Sequence, residues 1–226
     1  MIELERRFTP GTVAFRAVDG GLGHLGGYAL KYNRLSQNMG GWVERIAAGA
    51  FAKSLGDGGD VLARFQHDDL YLLGRSSAGT LSLDNTDGVG LQYDVPLPDT
   101  SYARDLAALA ARGDVRHSSF AFRAMTDEWG LTEQGFPLRT LTEAQLVDVA
   151  PVVQPAYLDT SSGLRSLAEA RGLDLAEVAK AAAANHLTEI VTGESRSKPD
   201  ETPPGDTHGA SRLLIRRRQL ELLRLH

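Results

Sequence analysis

The large apolar residues of Arg116-His117-Ser118-Ser119-Phe120-Ala121-Phe122 alternate, with Phe120 and Phe122 two positions apart. That pattern points to a half-buried β-strand. Successive strand side chains point to opposite faces. Phe120 and Phe122 therefore share a face with Ser118, and Ser119 shares the other with His117, Ala121 and Arg123. A serine opposite two core phenylalanines is held rigidly and presented away from the core. Such a placement suits a nucleophile, and it equally suits an ordinary residue of a sheet.

The rest of the chain reads as more short strands broken by a few helices. Thr12 to Val18 and His24 to Lys31 alternate as strands, joined by a glycine turn, and Arg34 to Gly41 is a polar loop. Val43, Ile46, Ala47, Ala50, Phe51 and Leu55 recur at helical spacing before Gly56. Gly49 weakens that helix, so it begins either at Trp42 or only near Gly49. Val61 to His67 is a strand whose alternate residues Val61, Ala63, Phe65 and His67 share a face. Gly79 to Leu83 and Val89 to Val95 flank an Asp-Gly turn as a hairpin. Thr100 or Ser101 caps a helix from Tyr102 to Arg112. Phe136 to Leu141 and Leu146 to Val153 complete the strands. In the last of these, Asp148 stands in a row with Leu146 and Ala150, where an unpaired carboxylate is costly.

Beyond Tyr157 the pattern becomes helical over Leu164 to Arg171 and Leu175 to Val191. The Pro- and Gly-rich stretch 192–211 has the composition of a disordered linker. Residues 212–226 carry five arginines against Glu221, a basic amphipathic segment of net charge +4. The overall charge of −5 then leaves −9 on the other 211 residues. The expected divisions are a domain over 1–160, a helical extension over 161–191, the linker over 192–211 and the basic segment over 212–226.

The function classes narrow by exclusion. The acidic balance argues against general nucleic-acid affinity. The first residues lack the apolar core of a signal peptide, and no run reaches the roughly 18 apolar residues of a membrane span. Absence of cysteine removes thiolate catalysis and cysteine-ligated zinc. His67-Asp68-Asp69 tempts a metal reading, yet no second histidine stands at ligand spacing, so neither metal nor cofactor is expected. Three groups stand out, His67, Ser119 and Asp148, each on a separate strand. A serine hydroxyl becomes a nucleophile when a histidine takes its proton, and a carboxylate behind the histidine fixes its tautomer. His117 shares the face of Ser119, but same-face neighbours lie about 6–7 Å apart, so it lines the site at most. Ser118 points with the phenylalanines, and His24, His186, His208 and His226 are read as surface residues.

Four segments together carry a family resemblance. They are Ala47-Ala48-Gly49-Ala50-Phe51-Ala52-Lys53-Ser54-Leu55, Phe65-Gln66-His67-Asp68, Ser118-Ser119-Phe120-Ala121-Phe122, and Leu146-Val147-Asp148 through Pro155-Ala156-Tyr157. In this order they resemble the prohead, or capsid maturation, proteases of tailed phages. The resemblance implies a serine endopeptidase of α+β class. Its fold would be a mostly antiparallel β-barrel flanked by helices, similar to herpesvirus assemblin, followed by a helical and disordered tail. It maps the nucleophile to Ser119, the general base to His67 and the third member to Asp148. Three departures stand out: Ala121 for glycine, Ala150 for serine, and Asp148 for a longer glutamate, which shortens the reach to His67.

The resemblance also implies partners. The substrate would be the phage major capsid protein or scaffolding protein, with self-cleavage and self-association inside the assembling procapsid, in the host cytoplasm. Neither nucleic acid nor membrane is expected as a partner. Backbone amides or an arginine such as Arg139 are conceivable as oxyanion donors. The rival reading is a non-enzymatic capsid-assembly or scaffolding barrel, or a protease–scaffold fusion. Separation of Ser119 Oγ from the His67 ring decides between them.

Overall fold

The computed structural model describes residues 2–154 and 161–193, and all of these fall within one compact unit. In chain order the strands are β1 (Glu5–Thr9), β2 (Val13–Arg16), β3 (His24–Lys31), β4 (Val43–Ile46), β5 (Leu62–Arg64), β6 (Leu72–Arg75), β7 (Ser82–Asp84), β8 (Gly90–Pro96), β9 (His117–Leu131) and β10 (Pro137–Val152). The helices are α1 (Ala52–Gly56), α2 (Ser101–Ala111), α3 (Ser161–Arg171), α4 (Leu175–Ala183) and α5 (Leu187–Thr192). The basic segment 212–226 and all but the first two residues of the 192–211 stretch lie outside the described residues, as do His208 and His226.

The alternating serine run is the start of β9, a strand that continues to Leu131 and forms a long antiparallel pair with β10. The runs 136–141 and 146–153 are not two strands but one, because register shifts near Glu143 and Val147 absorb the break in alternation. These bulges let the two halves of β10 serve different neighbours. Leu138–Leu141 pairs in parallel with β4, and Asp148–Val149 pairs in parallel with β5. The first sheet therefore runs β1-β9-β10-β5-β6, with β4 also on β10, and the second runs β2-β3-β8-β7.

This corrects the expected barrel. The architecture is α+β, but the sheets stay open among the described residues, with β1 and β6 as the outer strands of the first and β2 and β7 of the second. The long central hairpin spends its pairing capacity on parallel neighbours instead of closing a ring. The core lies where the two sheets face each other. Leu25, Leu30, Leu91 and Val95 meet Phe120 and Phe122, and Phe51 packs edge-on against both phenylalanines at 6.2 Å between centroids.

Other expectations also shift. The helical spacing of 43–55 splits into β4 and the short helix α1, because Gly49 takes a left-handed φ of 84° that no helix accommodates. β1 and β6 carry little alternation, so no sequence pattern announces them. Thr100 caps α2 by accepting from the Ala103 N–H. The helical stretch 175–191 divides into α4 and α5 at Asn185, whose φ is 57°. His24 is not free at the surface, since its Nδ1 lies 2.7 Å from Asp94 Oδ2.

The helices α3 to α5 share a second apolar cluster with Met39 and Trp42. The indole of Trp42 is fully buried and stands 5.2 Å from that of Trp129. Gly163 in α3 lies so close to Trp42 that an added Cβ would sit 2.5 Å from the ring. Gly163→Ala is therefore expected to destabilise the fold by about 1–3 kcal/mol through overpacking. A fall in the urea midpoint at unchanged m-value is the check.

Candidate active site

His67 does not end a strand. β5 stops at Arg64, and Phe65–His67 form a single 3-10 turn in which Gln66 and His67 both adopt a φ of 59°. Left-handed backbone at two successive non-glycine residues is strained, and such strain concentrates at functional positions. The row Val61, Ala63, Phe65, His67 is thereby broken, and the imidazole turns out of it toward β9. Asp68 holds the following turn by accepting from the Leu70 N–H at 2.9 Å. Asp69 pairs with Arg64.

Asp148 is aimed by the bulge at Val147. Directly paired residues on neighbouring strands point to the same face. Leu146 pairs with Phe122, while Asp148 pairs with Ala121 and Ala150 with Ser119. Asp148 and Leu146 therefore face opposite sides, contrary to the simple alternation, and the carboxylate joins Ser119. Bulges beside active sites commonly re-aim a side chain in this way.

The three side chains form a continuous hydrogen-bonded chain. Ser119 Oγ lies 2.6 Å from His67 Nε2, and His67 Nδ1 lies 2.7 Å from Asp148 Oδ1. The short reach of the aspartate is sufficient. Ser119 and Asp148 are wholly buried and the imidazole nearly so. Asp148 Oδ2 is held by the Arg64 guanidinium, a partner invisible to periodicity. Its one signal was that a buried carboxylate requires a counter-charge.

The electrostatics define the tautomer. Burial, with the nearby cations Arg6 and Arg64, pushes the His67 pKa down to about 3. The ring is then neutral near pH 7. Its Nδ1–H donates to the carboxylate, which leaves Nε2 as acceptor for the Ser119 hydroxyl. On acidification the unfolded chain binds a proton here near pH 6.5, but the folded chain does not until about pH 3. This residue thus subtracts from stability progressively as pH falls through that window. Removing one of the two cations should raise the imidazole pKa. Arg64→Gln is expected to move the acid limb of kcat/KM upward by roughly one pH unit. A pH profile of peptide hydrolysis reads it directly.

Other sequence candidates are placed elsewhere. His117 Nδ1 accepts from the Gly11 N–H at 3.1 Å. Ser118 faces the core, 3.2 Å from the Tyr93 hydroxyl. Arg139 binds Glu5, Glu44 and Asp127 in a buried ionic cluster and has no hydrogen bond to Ser119 or His67. That leaves it unsuited to an oxyanion site. Among the described residues no group of three or more His, Asp or Glu is arranged to hold a metal.

A buried serine, a neutral histidine and a carboxylate in hydrogen-bonded sequence have the arrangement of a serine hydrolase. The chain belongs to the caudovirus prohead serine protease family, whose model matches residues 12–172. It is thus a serine protease of the kind tailed phages use in capsid maturation. Among solved structures, the chain is similar to the capsid assembly protease gp21 of bacteriophage T4, with a TM-score of 0.43 and 13% identity over 67% of this chain and 97% of that one. No protein of curated function matches the sequence.

Proposed function

We propose that this protease cleaves scaffold or capsid-protein extensions inside the assembling procapsid, with Ser119 as nucleophile, His67 as general base and Asp148 orienting the base. The hydrogen-bonded chain of 2.6 and 2.7 Å is the observation that carries the reading. In the acylation step Nε2 takes the Ser119 proton as Oγ attacks the scissile carbonyl carbon. The resulting imidazolium is stabilised by Asp148 and then donates that proton to the departing amine. Water repeats the sequence in reverse to free the acyl-enzyme.

Self-cleavage belongs to the same proposal. Residues 181–193 lie largely within α4 and α5, which contribute Ala182, Leu187 and Val191 to the second apolar cluster. A self-cleavage site is therefore expected beyond residue 193. The test is co-expression with a candidate capsid or scaffolding protein, comparing the intact enzyme with Ser119→Ala. The intact enzyme should shorten the substrate and lose its own C-terminus by mass spectrometry, and the variant should do neither. An unprocessed substrate with the intact enzyme would reject the proposed substrate class.

A further inference from the structure

The nucleophile has no exposed surface, so a peptide cannot reach it in this conformation. Beside it lies the chain's own first strand. β1 pairs antiparallel with β9 from Glu5↔Phe122 to Thr9↔Ser118, and the Arg7 carbonyl stands 2.8 Å from Ser119 Oγ. A hydroxyl has one proton. When it is donated to the Arg7 carbonyl, it is withheld from His67.

We propose that β1 occupies the substrate's place: an extended peptide binds as a strand along the β9 edge once residues 2–10 are displaced, and until then they hold the enzyme at rest. This rests on the assignment of Ser119 as nucleophile. Strand addition to a sheet edge is a general mode of peptide recognition, since main-chain hydrogen bonds supply affinity without demanding a sequence. Among the described residues, only β1 stands between β9 and an open edge.

β1 is attached in a releasable way. Its inward side chains are Glu5 and Arg7 rather than apolar residues, and Ile2 and Leu4 are exposed. Arg7 bonds Glu44 and Glu5, and Glu5 bonds Arg139. With β1 gone, Arg139 still holds Glu44 and Asp127, so Glu44 and Arg139 keep each other as partners. A groove of about 470 Å³ borders residues 7–10 and gives the strand room to leave. Gly11, at a φ of 65°, provides the pivot, and the chain is anchored anew at Val13, whose N–H donates to the Arg116 carbonyl at 3.1 Å. The family match begins at residue 12, just after this strand.

The test uses the full chain, which contains no cysteine. Thr9→Cys with Ser118→Cys places two thiols directly across β1 and β9. A fluorophosphonate probe then reads access, because Ser119 Oγ forms a bond to phosphorus as fluoride leaves and the hydroxyl proton passes to His67. Oxidation of the pair should slow labelling of Ser119 at least tenfold, and dithiothreitol should restore it. In a cysteine-free chain, Glu5→Gln with Arg7→Gln should speed labelling by a similar factor. Equal labelling of the oxidised and reduced forms overturns the proposal. Labelling of a different residue, or none in any form, overturns the assignment of Ser119 and the proposal with it.

Discussion

Ser119→Ala is expected to lower kcat/KM by roughly 10⁴- to 10⁶-fold while changing stability by no more than about 1 kcal/mol, the worth of an ordinary hydrogen bond. The neighbouring Ser118→Ala should behave in the opposite sense. Ser118 is buried on the phenylalanine face, and its hydroxyl partners Tyr93 at 3.2 Å. Removing it leaves a buried phenol unsatisfied and should cost about 1–3 kcal/mol of stability with most activity retained. Two adjacent residues of one strand thus separate chemistry from folding. His67→Ala should match Ser119→Ala, and the double variant should fall no further, because groups that act as one unit are not additive. Peptide hydrolysis and urea denaturation of the four variants test the set. A Ser119→Ala enzyme that still turns over would remove this serine from the mechanism.

The phase of β9 was legible because Phe120 and Phe122 obey strict alternation and both are core residues. The hairpin of β7 and β8 was legible from its Asp-Gly turn. Readings failed wherever an irregularity intervened. A bulge at Val147 placed Asp148 and Leu146 on opposite faces, and no side-chain pattern announces a bulge. The left-handed pair Gln66 and His67 ended β5 three residues early, though Phe65 and His67 continued its alternation. β1 escaped notice because its inward residues are Glu5 and Arg7, which satisfy each other with Glu44 and Arg139. A strand held by buried ion pairs has no hydrophobic period to detect. The open architecture was hidden for a related reason: parallel pairing of β4 and β5 on separate halves of β10 depends on contacts far apart in sequence.

The last prediction follows from the double demand on Asp148. Its two oxygens accept from different donors, Oδ1 from the His67 Nδ1–H and Oδ2 from Arg64. Asparagine supplies only one acceptor oxygen. In Asp148→Asn that oxygen should turn to the guanidinium, because a hydrogen bond to a charged donor is the stronger. The amide NH2 then faces His67 and forces the proton onto Nε2, the tautomer that cannot take a proton from Ser119. Activity should drop by about 10⁴-fold, less completely than in Ser119→Ala. Stability should also fall, because Arg64 loses its buried counter-charge. A broken buried pair costs about 3–5 kcal/mol, and the remaining contact with Asp69 keeps the loss at the lower end. The two readouts are diagnostic together. A stability loss with unimpaired turnover would make Asp148 a structural partner of Arg64 alone, and the orienting group for His67 would have to be sought elsewhere.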